Sequence, residues 1–201
     1  MSQANTTTGW PTFLALTGDA IFAQRDEREP ENLIRAFFFD SEMHTIEGHL
    51  FSPCADEGRD GWFTIRNFPA TTRPLKLLDA GDENLRKVPE EVDGSVPNTR
   101  AMDWMSMGAS GIAVVREVDR NANEGWLMGF TYMGRSRGWI RFDVQVDIEG
   151  IELPSPLQVH ALVNFEAVVT HVGLSGVPYL RVDQLIPVGI ADANLVVALT
   201  E

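Results

Sequence analysis

Apolar and polar side chains alternate along residues 139–148, and this alternation constrains the fold more than any other feature of the chain. Every second position is apolar, while most of the positions between carry Arg, Asp or Gln. A period of two puts successive side chains on opposite faces of a β-strand, whereas a helix needs a period of about 3.6 residues. Residues 139–148 are therefore predicted to form a strand with one face on a hydrophobic core. The apolar set is Ile140, Phe142, Val144, Val146 and Ile148.

Eight further short apolar segments, rich in β-branched and aromatic residues, extend this pattern along the chain. Strands separated by turn residues at such a spacing are typical of all-β sandwiches and barrels. Turn residues in 119–125 and 172–178 predict two hairpins, each joining antiparallel neighbours. Helix is scarce, with short candidates only at 82–88 and 100–107. The eight segments are 13–22, 33–39, 45–51, 62–68, 112–118, 126–132, 159–169 and 179–186.

The stretch 69–98 divides the strands into two groups. It holds four Pro residues and many charges, so it is predicted to be a long loop or linker. Residues 13–68 then form an N-terminal β segment and 99–190 a C-terminal β unit, and the pattern leaves open whether 13–190 is one domain or two. A flexible lead-in is expected over 1–12, and residues 191–201, which are mostly apolar, are expected to form a tail after the last strand.

The charge balance limits the classes of partner. The chain of 201 residues carries 16 basic and 29 acidic residues, for a net charge of -13. Such a surface repels nucleic acid and anionic membranes at long range, so any nucleic-acid site must be a local one. No apolar run approaches the length of a membrane span, and the start lacks the pattern of a signal peptide, so a cytoplasmic protein without a membrane partner is predicted.

The usual catalytic and cofactor motifs are missing from the sequence. It contains no P-loop, no dinucleotide-binding glycine turn and no nucleophile elbow. The single Cys54 excludes an intrachain disulfide and a multi-cysteine zinc site, and the four histidines do not share the spacing of a metal site. The sequence therefore predicts a non-enzymatic protein without a metal or cofactor.

A cluster of arginines and aromatic residues between 126 and 141 is the candidate binding site. On a sheet, aromatic rings offer faces on which bases stack, and arginines offer cations for phosphate, which are the two requirements of single-stranded nucleic-acid binding. The alternative interpretation is structural, because aromatic residues alternating along a strand commonly belong to the core. The candidate phosphate contacts are Arg135, Arg137 and Arg141, and the candidate stacking residues are Trp126, Tyr132 and Trp139.

Three consecutive phenylalanines, Phe37, Phe38 and Phe39, form a second candidate site. On one strand they must occupy both faces, so either both faces are buried or one ring is presented to a partner. Together with the apolar tail over 194–199, they favour a protein partner or a homo-oligomer as the alternative to a nucleic-acid ligand.

The segment 157–188 combines a long strand over 161–170, a glycine turn and a return strand over 177–186. This pattern resembles the final hairpin of OB-fold domains. OB-folds are five-stranded Greek-key barrels that often bind oligonucleotides. The predicted fold is therefore all-β, either an antiparallel OB-like barrel or two packed small β-barrels, with one or two short helices.

Three functions follow from these observations. The first is binding of single-stranded nucleic acid, or a role as a component of a nucleoprotein complex. The second is that of a structural or assembly subunit of a larger protein particle. The third is an enzyme whose site is assembled by the fold and is not visible in the sequence.

Overall fold

The computed structural model describes residues 9–23, 33–52, 61–88, 105–119, 121–151 and 157–201. In these residues the chain forms eleven strands, one 3-10 turn at Asp82–Asn84 and one helix, α1, at Ala193–Thr200. The strands are β1 (Phe13–Phe22), β2 (Leu33–Phe39), β3 (Thr45–Phe51), β4 (Gly61–Thr71), β5 (Lys76–Leu78), β6 (Leu85–Lys87), β7 (Gly108–Asp119), β8 (Glu124–Tyr132), β9 (Trp139–Asp147), β10 (Ala161–Val172) and β11 (Pro178–Ile190). The prediction of an all-β protein is confirmed.

The last five strands close into an OB-like barrel, which we call the C-terminal barrel. Strands β7, β8 and β9 follow one another antiparallel, β9 pairs parallel with β11, and β11 pairs antiparallel with β10. Pairing of β10 with β7 completes the closure. Numbered within the barrel, the order is 1-2-3-5-4 returning to 1. Both predicted hairpins lie in this barrel, joining β7 to β8 and β10 to β11.

The first five strands repeat the same order of pairing, and we call them the N-terminal ring. Strands β1, β2 and β3 are successive antiparallel neighbours, β3 pairs parallel with β5, and β5 pairs antiparallel with β4. Pairing of β4 with β1 closes the ring. The short β6 adds to the far edge of β4.

The two units join through their first strands. The amino-terminal half of β1, from Phe13 to Thr17, pairs antiparallel with the amino-terminal half of β7, from Gly108 to Ile112. The carboxy-terminal half of each strand then pairs with the second strand of its own unit, β2 or β8. Strands β1 and β7 therefore have equivalent positions: each pairs with the other over its first half and with the second strand of its own unit over its second half.

Alternation of side chains creates the core, as predicted for 139–148. Phe142, Val144 and Val146 are buried inside the C-terminal barrel, and Val163 and Phe165 of β10 face them. A single hydrophobic cluster continues from these residues through the junction into the N-terminal ring, where its members include Leu14, Leu16, Phe38, Leu50 and Phe68.

The structure differs from the sequence predictions in the region expected to be a linker. Residues 69–88 hold the end of β4, together with β5, the 3-10 turn and β6, rather than an open loop. The helix predicted over 82–88 is wrong, because only the 3-10 turn forms before the chain becomes extended at Leu85. Of the helix predicted over 100–107, residues 105–107 are not helical and the rest lies outside the described residues, as does Cys54.

The predicted tail over 191–201 is also different, since most of it forms α1. The Asp192 side chain accepts a hydrogen bond from the Asn194 backbone N–H and so caps the helix. Leu195 and Leu199 are fully buried against Val114 and Met128 on the outside of the C-terminal barrel. In the described part of the chain, no helix has the length and apolarity that crossing a membrane requires.

Candidate functional site

A groove of about 720 Å³ lies on the outside of the molecule where the two units join. We call it the junction groove. Its walls come from the start of β1, the end of β4, the start of β7 and the loop end of the β8–β9 hairpin. The lining residues are Trp10, Pro11, Thr12, Phe13, Leu14, Ala15, Asn67, Pro69, Ser110, Ile112, Thr131, Tyr132 and Trp139.

Aromatic rings dominate the groove. Tyr132 and Trp139 are direct cross-strand neighbours, with ring centroids 5.5 Å apart and planes tilted by 54°. Tyr132 is 43% exposed, and Phe13 is equally exposed. Trp10 stacks on Phe130, at a centroid distance of 5.5 Å. A large aromatic ring that remains exposed at a concave surface offers a face to a flat ligand.

None of the described residues that line the groove is charged, and the hydroxyls of Thr12 and Thr131 already form hydrogen bonds within the chain. Thr12 Oγ1 accepts a hydrogen bond from the Phe130 N–H at 2.8 Å and donates to the Phe130 carbonyl at 3.0 Å. Thr131 Oγ1 accepts from the Leu14 N–H at 2.9 Å. These bonds tie the chain before β1 to β8 and fix the shape of the groove.

The loop between β8 and β9 carries two of the predicted arginines. Gly134 and Gly138 adopt positive φ angles of 84° and 67°, and the Gly138 N–H donates to the Gly134 carbonyl. The Arg137 guanidinium lies over the aromatic side chain of Phe51, 4.2 Å from its centroid, and Phe51 belongs to β3 of the N-terminal ring. Arg135 is exposed in the same loop, three residues after Tyr132. The loop therefore places Arg135 toward solvent and uses Arg137 to contact the other unit.

The other two predicted residues lie away from the groove. Arg141 forms an ion pair with Asp143, and its Nη1 donates to the Leu199 carbonyl at the end of α1. Trp126 lies near the start of β8, at the opposite end of the strand from Tyr132, and the Arg116 guanidinium is 5.9 Å from its ring centroid. The structure thus brings together Tyr132 and Trp139 at the groove, with Arg135 nearby, and leaves Trp126 and Arg141 elsewhere.

Of the residues that line the groove, the sequence predicts only Tyr132 and Trp139, so Trp10, Phe13 and Asn67 are among those it does not indicate. Trp10 fell in the lead-in that was predicted to be flexible, yet residues 9–12 are held by the Trp10–Phe130 stack and the two Thr12 hydrogen bonds. A tryptophan beside a strand was the available signal. Nothing in the sequence indicates that Asn67 lines the same groove as Trp139, at a junction of two units.

The structure also alters the candidate interface at Phe37–Phe39. Phe38 is fully buried in the core, so its proposed role in an interface is wrong. Phe37 is half-buried under Arg35, and Phe39 is half-buried in a parallel stack with Trp62, with centroids 6.0 Å apart. The apolar tail likewise buries Leu195 and Leu199 within its own chain.

A polar cluster lies at the opposite end of the C-terminal barrel. The Tyr179 hydroxyl donates to Glu124 Oε1 at 3.0 Å, and Gln145 Nε2 donates to Glu124 Oε2 at 3.0 Å. Burial, the hydrogen bond to Glu124 and the charges of Glu124 and Asp147 raise the pKa of Tyr179 to about 12. This cluster holds the start of β11 against the β8–β9 hairpin.

Among the described residues, no group of three or more His, Cys, Asp and Glu side chains is placed to hold a metal ion. Comparison of the chain with protein-family models, with curated proteins and with solved structures finds no match in any of the three. Function is therefore inferred from the geometry of the junction groove.

Proposed function

We propose that this protein is a non-enzymatic binding protein that holds single-stranded nucleic acid in the junction groove. The observation that carries the proposal is the cross-strand pair of exposed Tyr132 and half-buried Trp139 at a concave surface, with the exposed Arg135 in the loop that joins their strands. Stacking on aromatic rings accepts any base, because every base has a π face. The OB-like order of the strands adds support by analogy, since barrels of this kind often bind oligonucleotides.

The net charge of -13 fits this proposal only if stacking supplies most of the affinity. Each phosphate neutralised on a single strand contributes about -0.7 to the slope of log affinity against log salt. With Arg135 facing solvent and Arg137 already over Phe51, the expected slope corresponds to one or two phosphate contacts. Binding should therefore depend less on salt than it does for a protein with a basic groove.

Fluorescence anisotropy with a labelled oligo(dT) at low salt tests the proposal. Tyr132→Ala and Trp139→Ala should each weaken binding by about tenfold or more, since base stacking on an aromatic ring contributes about 1–3 kcal/mol. Arg135→Ala should weaken binding less and reduce the salt slope by about 0.7.

The matched control is Arg181→Ala, which removes an exposed arginine of β11. Arg181 pairs with Asp147, at the opposite end of β9 from Trp139. Arg181→Ala should leave affinity and slope unchanged. Failure of the wild-type protein to bind at micromolar concentration, or equal binding by Trp139→Ala, would overturn the proposal.

An assembly subunit is the second candidate function, and one observation favours it. Ile186, Val188 and Ile190 follow one another at alternate positions on β11, and Ile190 is 79% exposed. Exposed apolar rows of this kind are typical of protein contacts. Light scattering across a wide concentration range tests this candidate: self-association should be lost in Val188→Glu, whereas a protein that is monomeric throughout excludes a homo-oligomer.

A further inference from the structure

Asn67 lies in a bulge of β4 and lines the junction groove. Leu16 of β1 pairs with Phe68, and Gly18 pairs with Ile65, so two residues of β4, Arg66 and Asn67, lie opposite the one residue between them on β1. An extra residue of this kind re-aims side chains, and bulges are frequent next to functional sites. The Asn67 N–H donates to Thr17 Oγ1 at 3.0 Å, which holds the bulge in place.

The backbone of Asn67 adopts a positive φ of 51°. This left-handed conformation is uncommon for residues other than glycine, although Asn tolerates it better than most. Glycine would satisfy the same backbone at no steric cost. The requirement for a positive φ therefore does not by itself explain why a carboxamide stands at this position.

The Asn67 side chain is exposed and lines the groove on the wall supplied by the N-terminal ring. Within the described part of the chain, no hydrogen bond joins its carboxamide to another residue. The hydroxyls of Thr12 and Thr131, by contrast, are engaged with Phe130 and Leu14. Asn67 thus brings a donor and an acceptor to a surface that is otherwise mainly apolar.

We infer that Asn67 is a specificity-determining residue of the junction groove, whose carboxamide hydrogen-bonds to the edge of an adenine base held there. This inference rests on the proposed binding of single-stranded nucleic acid. Adenine presents a donor, N6, beside an acceptor, N7, and Asn pairs with both at once. In a single strand the base can stack on an aromatic ring and form hydrogen bonds on this edge at the same time. The site then spans both units, with stacking on one wall and readout of the base on the other.

The experiment compares three labelled oligonucleotides: oligo(dT), the same oligomer with one central adenine, and the same oligomer with one central cytosine. The wild-type protein should prefer the adenine-containing oligomer by about tenfold, since a bidentate contact discriminates by about 1–3 kcal/mol. Asn67→Gly keeps the backbone conformation and removes the carboxamide, so it should bind all three alike.

Asn123→Gly is the matched control, because Asn123 is also exposed and has a positive φ of 54°, but lies in the turn between β7 and β8. It should keep the adenine preference. Wild-type protein that binds all three oligomers equally, or an Asn67→Gly variant that retains the preference, overturns this inference and leaves the proposed function standing. Wild-type protein that binds none of the three overturns both.

Discussion

The guanidinium of Arg141 holds the buried carboxylate of Asp143 through two hydrogen bonds, from Nη2 at 3.0 Å and from Nε at 3.2 Å. Both residues lie on the outer face of β9, which the alternation of side chains predicted to face solvent. The face is instead partly covered by α1, whose Leu199 carbonyl accepts a third hydrogen bond from Arg141 at 2.5 Å. Arg141 therefore links the end of the chain to the C-terminal barrel and is not available for phosphate.

Arg141→Ala should destabilise the protein by about 2 kcal/mol. Removal of one partner of a fully buried ion pair costs about 3–5 kcal/mol, but 37% of the Arg141 side chain is exposed, so water compensates part of the Asp143 charge. Urea unfolding measures the change, and hydrogen exchange should show loss of protection in α1. Arg135→Ala, which removes an exposed arginine, should change stability by less than about 0.5 kcal/mol. Equal stabilities of the two variants would contradict this role for Arg141.

Gly111 lies in the paired region of β1 and β7, opposite Leu14. Any larger residue at this position should be strongly destabilising. A Cβ atom at Gly111 would meet the Phe13 carbonyl oxygen of β1 and the Phe165 ring. Since the close atom belongs to the backbone, the β1–β7 pairing itself must shift. Gly111→Ala should therefore cost about 3 kcal/mol, at the upper end of what overpacking costs.

Gly189→Ala is the control for this substitution, because a Cβ at Gly189 meets nothing within 4 Å. It should change the free energy of unfolding by less than about 0.5 kcal/mol. Gly111→Ala should also weaken oligonucleotide binding, since Phe13 of β1 and Ser110 of β7 line the groove and lie in the same pair of strands. A Gly111→Ala variant as stable as Gly189→Ala would show that the junction can relax.

Thr12 fastens the chain before β1 to the groove, and the effect of its hydroxyl can be isolated. Thr12→Val keeps the shape but leaves the Phe130 N–H and carbonyl without the partner they have now. An unsatisfied buried polar group costs about 1–3 kcal/mol, and these groups are partly buried, so a loss of about 2 kcal/mol is expected. Thr12→Ser should recover most of it. The near-ultraviolet circular dichroism of Trp10 should weaken in Thr12→Val alone; an unchanged spectrum would contradict the role.

The sequence predicted the long strands well because each of them carries its own pattern. The spans of β1, β2 and β3 agree with the predicted ones, and the period of two in β9 correctly placed Phe142 and Val144 inside. The three-residue strands β5 and β6 are not predicted, since three residues are too few to show an alternation of apolar and polar side chains. Helix α1 is not predicted either, although Asp192 is a good N-cap. The short apolar run that follows Asp192 is equally typical of a tail.

The candidate site was predicted only in part, and the reason is its long-range construction. Tyr132 and Trp139 are brought together by a hairpin, which a local pattern reveals. Asn67 and Phe13 join them through the pairing of β1 with β4 and β7, at sequence separations that no local pattern records. The repeated strand order of the two units was hidden for the same reason, because it lies in the pairing of the strands.

Tyr179 provides a pH-dependent test of the polar cluster on the C-terminal barrel. The chain has two tyrosines, so Tyr132→Phe leaves Tyr179 as the only one that titrates. Its pKa is raised from 10.0 to about 12, first by burial and then by the hydrogen bond to Glu124 and the charges of Glu124 and Asp147. Between these two pH values the unfolded chain releases the tyrosine proton while the folded chain keeps it. Stability should therefore fall with rising pH across that window, and Tyr179 should add no pH dependence below pH 10.

Absorbance of the tyrosinate in Tyr132→Phe, recorded together with far-ultraviolet circular dichroism, measures the midpoint while the fold is intact. Adding Glu124→Gln should lower this midpoint, because the carboxylate that opposes the tyrosinate charge is gone, but burial should keep it above 10. Adding Glu166→Gln, which neutralises an exposed carboxylate on β10, should leave the midpoint near 12. A midpoint near 10 in Tyr132→Phe itself would contradict the contact between the Tyr179 hydroxyl and Glu124.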